Sequence, residues 1–176
     1  LKFPLYKHQN ANPRGLTYDD VNRFVEDGLG NIWIGTNGAA LFYFNRKTGQ
    51  FKRYVHEPGK PNSLSNDIIV SLFIDSDKKL WVGTYFGGLS CFDGTKFIHY
   101  KHNAQDVNSL TDDRVWDILE DRKGNLWIAT ENGGLSIFNP KTGAFSNYQH
   151  DDIDRGSIND NSLYILFDDK EGNIWI

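Results

Sequence analysis

Four tryptophans recur at almost constant spacing, and that periodicity constrains the fold more than any other feature. Trp33, Trp81, Trp127 and Trp175 are separated by 48, 46 and 48 residues. Their flanks repeat as well: Asp27-Gly-Leu-Gly-Asn-Ile-Trp-Ile-Gly-Thr36, Asp75-Ser-Asp-Lys-Lys-Leu-Trp-Val-Gly-Thr84, Asp121-Arg-Lys-Gly-Asn-Leu-Trp-Ile-Ala-Thr130 and Asp169-Lys-Glu-Gly-Asn-Ile-Trp-Ile176. Leu16, Leu64, Leu110 and Ile158 each precede their tryptophan by 17 residues. Tyr6, Tyr54, Tyr100 and Tyr148 lie ten residues earlier still, each followed two positions on by His8, His56, His102 or His150. Trp116 stands outside the series. Self-similarity at this period signals a repeat architecture, in which each unit buries its faces against its neighbours.

Each repeat reads as four short strands. The first is expected at Val21 to Glu26, Ile69 to Ile74, Val115 to Glu120 and Leu163 to Asp168, apolar enough to be covered on both faces. Gly30-Asn31, Gly124-Asn125 and Gly172-Asn173 supply positive-φ turn chemistry before the second strand. The second copy has Lys78-Lys79 there, which predicts a looser turn. Gly-rich corners, Gly38-Ala39-Ala40, Gly87-Gly88 and Gly133-Gly134, lead to a third strand. Turns such as Asn139-Pro-Lys-Thr-Gly143 lead to the fourth. No sustained helical period is present, so the chain is expected to be all-β. Four antiparallel strands per unit of about 46–48 residues is the arithmetic of a β-propeller blade. The expected division is 1–10 as the last strand of a preceding blade, then blades at 11–58, 59–104 and 105–152. Residues 153–176 would supply the first two strands of a further blade. About 3.7 repeats are too few to close a ring, and the chain contains no Met, so the segment is expected to be a fragment of one larger propeller domain.

The run Asn108-Ser-Leu-Thr-Asp-Asp-Arg-Val-Trp-Asp-Ile-Leu-Glu-Asp-Arg-Lys-Gly-Asn-Leu-Trp-Ile-Ala-Thr130 resembles the two-component-regulator propeller repeat. That repeat has a Ser-Leu pair, an Asp before an apolar strand, Glu-Asp, a Gly-Asn turn and Trp-Ile-Gly-Thr. Lys78-Lys79, Ala129 and Ala39-Ala40 depart from it. The resemblance implies the periplasmic or extracellular sensor half of a membrane-anchored hybrid two-component histidine kinase of the Bacteroidetes type. It also implies a carbohydrate-derived signal, with the kinase chemistry outside this segment.

Composition narrows the function classes. Lys plus Arg is 19 against 23 Asp plus Glu, net −4, with no basic run to attract nucleic acid or an anionic membrane. A single cysteine excludes a disulfide framework and any cysteine-cluster zinc site. The repeated histidines fall on separate blades and cannot converge on a metal, so no metal or other cofactor is expected. Asp27, Asp75, Asp121 and Asp169 are likewise too far apart to act as a catalytic pair and read as turn acceptors. The repeated tryptophans read as blade-to-blade packing, and Cys91 as a small buried hydrophobe. No catalytic constellation is expected.

Shared positions build the scaffold, so recognition should reside where the repeats differ. On one propeller face these positions are Asn37, Tyr85 and Glu131, then Phe86 and Asn132, with Arg114, Asp117 and its counterpart Arg23 on the inter-blade link and first strand. Tyr18 and Asp20 lie on the same link. Polar groups with aromatic rings suit an oligosaccharide or another small ligand. The alternative is a protein-interaction propeller without a small-molecule ligand, meeting another protein or a second copy as a homodimer. A propeller lyase or hydrolase is a third reading, and would need a converging acid–base constellation in an axial pocket.

Overall fold

The computed structural model describes residues 15–16 and 18–176; the expected terminal strand around Phe3, Tyr6 and His8 lies outside them. Three four-stranded antiparallel sheets follow one another. The first is β1 (Val21–Glu26), β2 (Ile32–Thr36), β3 (Leu41–Asn45) and β4 (Gln50–Tyr54), paired in chain order. The second is β5 (Ile69–Ile74), β6 (Leu80–Thr84), β7 (Leu89–Phe92) and β8 (Phe97–Tyr100). The third is β9 (Val115–Glu120), β10 (Leu126–Thr130), β11 (Leu135–Asn139) and β12 (Ala144–Tyr148). A two-stranded hairpin, β13 (Phe167–Asp168) and β14 (Ile174–Trp175), opens a fourth unit. There is no helix among the described residues. The sheets stack through their first strands, with β5 packed between β1 and β9. This is a β-propeller fragment, its blades side by side and their first strands innermost.

The core lies between blades. Trp81 on β6 is 1% exposed and meets Phe138 of the third blade with ring centroids 5.8 Å apart. Trp33 on β2 repeats the contact with Phe92 of the second blade at 5.5 Å. Around each pair gather aliphatic residues from both sheets, including Leu89, Val115, Ile118 and Ile128 in one interface and Leu41, Ile69 and Val82 in the other. Cys91 belongs to this core, and burial pushes its thiol up to about 11. Trp127 joins Leu135, Leu163 and Leu166, whereas Trp175 on β14, with no later blade among the described residues, is exposed.

Three expectations need correction. The first strand is not covered on both faces in every copy: β5 has neighbours on both sides, but among the described strands β1 packs on the next blade through β5, and Phe24 is exposed. In the fourth unit the first strand shortens to Phe167–Asp168. Its expected upstream half is instead pinned to the third blade, Leu163 N–H donating to Thr130 O (2.9 Å) and Leu166 N–H to Asp117 Oδ2 (2.9 Å). The Lys78-Lys79 turn is not loose. Lys78 takes φ 67°, beside φ 81° and 80° for Gly30 and Gly124. Its N–H donates to Asp75 O at 2.9 Å, as those of Gly30 and Gly124 donate to Asp27 O and Asp121 O. The Asp75 carboxylate accepts Lys79 N–H at 2.8 Å, and this bond holds the turn against the left-handed cost of Lys78.

Two substitutions test this packing by thermal or denaturant unfolding. Lys78→Gly is expected to stabilise by about 0.5–1 kcal/mol, the relieved backbone strain less the added entropy of the unfolded glycine. Gly83→Val is expected to destabilise by about 1–3 kcal/mol, because a Cβ there would lie 2.7 Å from Val115 Cγ1 and 3.0 Å from Val115 O across the blade interface.

Candidate functional site

The repeated polar residues are absorbed by the scaffold. Asp27 Oδ1 accepts Leu29 and Asn31 N–H at 2.9 and 2.8 Å, and Tyr43 donates its hydroxyl to Oδ2 at 2.9 Å. In the later copies the repeated indole replaces that phenol: Trp81, Trp127 and Trp175 donate Nε1–H to Asp75, Asp121 and Asp169 at 2.7, 3.2 and 3.3 Å. Burial alone would raise the Asp27 and Asp121 carboxyls, but the accepted bonds leave both below the ordinary value. Asp169 falls to about 2, chiefly through the Asn173 side chain. The repeated histidines among the described residues each close a link. His56, His102 and His150 set Nδ1 at 2.8–2.9 Å from the carbonyls of Leu64, Leu110 and Ile158. A carbonyl only accepts, so Nδ1 carries the proton. Their backbone N–H groups donate to Asp67, Asp113 and Asn161. No group of three or more His, Cys, Asp or Glu able to hold a metal ion occurs among the described residues.

The face carrying the variable positions is assembled by two local devices. The residue opening each corner between second and third strands donates its N–H to the link that enters the first strand: Asn37 to Asp20 O, Tyr85 to Ile68 O and Glu131 to Arg114 O, at 3.0–3.1 Å. These bonds fix corner and link on one face. The second device is a β-bulge. Pairing passes from Val21 to Arg23, from Ile69 to Ser71 and from Val115 to Asp117, skipping Asn22, Val70 and Trp116. A bulge turns the skipped residue out of the sheet's alternation. Here it supplies a variable row on the innermost strands.

The two devices meet in an open cleft of ≈ 410 Å³ lined by Asn22, Arg23, Asn37, Ile68, Val70, Tyr85 and Trp116. Three blades contribute to it. Tyr85 stands edge-on to Phe86 (centroids 4.4 Å) and to Trp116 (6.1 Å), and Trp116 in turn to Tyr164 (5.2 Å), giving a continuous aromatic row. Phe86, at the end of the row, is 58% exposed. The Trp116 Nε1–H is shielded from solvent with no hydrogen-bond partner. Such a group costs about 1–3 kcal/mol, which a purely structural ring at this position has no reason to carry.

Of the eight expected binding residues, Arg23, Asn37 and Tyr85 line the cleft, and Phe86 extends its aromatic wall. The other four lie around the third blade and are largely engaged. Arg114 donates Nε–H and Nη2–H to Asp112 at 2.9 and 2.6 Å, lies 3.6 Å from the Glu131 carboxylate, and gives 2.7 and 2.9 Å bonds to the Asn132 amide oxygen. Asp117 spends Oδ1 on Ile118 N–H and Oδ2 on Leu166 N–H, so it staples the third blade to the next. Asp20 accepts from Asn37 Nδ2 at 3.0 Å, and Tyr18 is partly exposed on the same link. The sequence reasoning missed Asn22, Val70 and Trp116. The available signal was their shared offset from the repeated tryptophans, at which four unlike residues (Asn22, Val70, Trp116, Tyr164) occupy one position.

The comparisons agree with this architecture. Residues 15–38, 63–86 and 109–132 match the family model for the two component regulator propeller. The three matched segments are similar to two-component regulator propeller repeats. The extracellular domain of a putative hybrid two component system from Bacteroides thetaiotaomicron superposes with TM-score 0.79 at 27% identity, over 97% of this chain and 22% of that one. The extracellular domain of a putative one component system from the same organism gives TM-score 0.72 at 21% identity, over 96% and 23%. Virginiamycin B lyase from Staphylococcus aureus shares the fold alone, with TM-score 0.57 at 14% identity over 76% and 42%. This propeller segment thus spans about a fifth of the two Bacteroides chains it matches. No curated protein sequence matches it significantly.

The depressed aspartates fix an acid limit for the fold. Groups held below their unfolded value stabilise fully above about pH 4 and lose that contribution as pH falls toward about 2, the value at Asp169. Stability measured from pH 6 to pH 2 is expected to fall chiefly in the lower half of that range. Asp121→Asn should flatten the fall while lowering stability at neutral pH.

Proposed function

We propose that this segment belongs to the ligand-recognising propeller of an extracytoplasmic sensor in a membrane-anchored hybrid two-component protein. Its signal is a carbohydrate-derived small molecule, and the response passes to a histidine kinase elsewhere in the parent chain. The blade divisions at 11–58, 59–104 and 105–152 are part of this reading. Recognition is assigned to the cleft between Arg23, Asn37, Tyr85 and Trp116. The observation that carries the assignment is the aromatic row that non-repeating residues of successive blades build on the face of the variable positions. Sugar rings present apolar C–H faces to aromatic walls and hydroxyls to amides, and the cleft offers both through Tyr85 and Trp116 on one side and Asn22 and Asn37 on the other.

The chemistry present favours binding over catalysis. Among the described residues the cleft lining contains no carboxylate and no histidine to form an acid–base pair. On the same face Asp112 is paired with Arg114, Glu131 lies 3.6 Å from that guanidinium, and Asp20 accepts from Asn37.

Calorimetric titration of the parent sensor region with a panel of glycan fragments tests the reading. A fragment that binds is expected to lose at least about tenfold in affinity with Tyr85→Ala and with Trp116→Ala, each aromatic face being worth about 0.5–1.5 kcal/mol beyond its area. Thermal unfolding of each variant establishes that its fold is intact. Binding unaffected by either substitution would move the site elsewhere. No binding by any fragment, with a partner protein captured instead, would favour the interaction-scaffold function.

A further inference from the structure

The cleft carries one cation that meets no carboxylate among the described residues. Arg23 lines it beside Asn22, Asn37, Tyr85 and Trp116. Its recorded bond is a long one, Nη1–H to the carbonyl of the preceding Asn22 at 3.4 Å, and it forms no ion pair among the described residues. The contrast with its neighbours is informative. Arg114, on the same face, is paired with Asp112 and Glu131, and Arg46 on the opposite turn meets Glu26 at 3.4 Å. The counterparts of Arg23 in the next two blades are Ser71, which is buried, and Asp117, whose carboxylate binds Leu166 N–H across the blade interface. Arg23 makes no equivalent inter-blade bond. The nearest acid on the link, Asp20, has one oxygen engaged by Asn37 Nδ2 at 3.0 Å. In a chain of net charge −4, an unpaired guanidinium at the mouth of an aromatic cleft marks where a negative group is welcome.

We propose that the cleft selects an anionic saccharide, a fragment bearing a ring carboxylate. Arg23 takes the carboxylate in its two-pronged donor geometry, and the sugar ring lies against Tyr85 and Trp116. Asn22 uses its Nδ2–H on Ile69 O at 2.9 Å, which leaves its amide oxygen to accept from a ring hydroxyl. This deepens the recognition reading above and rests on it. Guanidinium pairs planar carboxylates through two parallel hydrogen bonds, whereas a hydroxyl in the same place leaves one prong unused and the charge unmet.

The test uses the parent sensor region and paired ligands: uronate-containing disaccharides from acidic polysaccharides, and the same disaccharides after carboxyl reduction to the neutral sugars. Calorimetry is expected to show at least about tenfold tighter binding of the acidic member of a pair, weakening as salt is raised from 50 to 500 mM. Arg23→Gln should abolish the difference between the pair, and Arg23→Lys should retain part of it. Tyr85→Ala should weaken both members alike. Equal binding of acidic and reduced disaccharides, or an acid preference that survives Arg23→Gln, would overturn the inference while leaving the cleft as the site. Hits restricted to neutral fragments would do the same. Failure of every acidic and neutral fragment to bind would overturn both proposals.

Discussion

Trp33 on Phe92 and Trp81 on Phe138 are the contacts on which everything else rests. A four-stranded sheet with apolar residues on both faces cannot stand alone in water, and these indoles place the buried surface between blades, not within one. Burying a large aromatic side chain contributes roughly 1.5–3 kcal/mol, more than any single hydrogen bond in the link. The close approach this packing needs explains the small residues beside each indole. Gly35 and Gly83 sit where a Cβ would strike Ile69 and Val115 of the next blade. The third blade accepts Ala129, which packs with Leu163 and Leu166.

Hydrogen bonds then set the register of what packing brings together. The Asp carboxylates organise their own turns and hold the indole or a phenol, while the His rings tie each link to the residue that anchors the next blade. This division gives the repeated polar residues structural work, each Asp within its own turn and His56, His102 and His150 within their links. It also explains why the turn at Lys78 keeps its shape. The carboxylate of Asp75 supplies the turn's bonds whatever the side chain at the left-handed position, and glycine there only lowers a cost.

The blades and most strand limits were legible because they depend on residue type at fixed spacing, which a sequence displays directly. The turn at Lys78 was misread because local propensity was weighed without the Asp75 bond that overrides it. At the site, legibility was partial for a different reason. Variation among repeats pointed to one face, and Arg23, Asn37 and Tyr85 do meet there. It could not separate free polar groups from spent ones: Arg114 and Asp117 differ among copies because they solve local pairing problems with Asp112, Asn132 and Leu166. Trp116 was set aside because it broke the tryptophan period. That break was informative, but the bulge that turns the ring out of the strand's alternation is a pairing property no linear spacing reveals.

The cleft draws on three successive blades, with Arg23 and Asn37 from the first, Tyr85 from the second and Trp116 from the third. On the proposed reading, a ligand bound there would depend on the relative position of blades as well as on the presence of any one residue. Sensing requires more than affinity, since a ligand that binds two arrangements equally shifts neither. Moving a receptor from almost wholly off to almost wholly on needs a differential of about 5.5 kcal/mol. One aromatic contact contributes roughly 0.5–1.5 kcal/mol and cannot supply that alone. Several contacts must change together, and a cleft assembled across two blade interfaces meets that requirement where a pocket within a single blade would not. The interfaces flanking it are sealed by indoles and aliphatic side chains, so the blades resist independent movement.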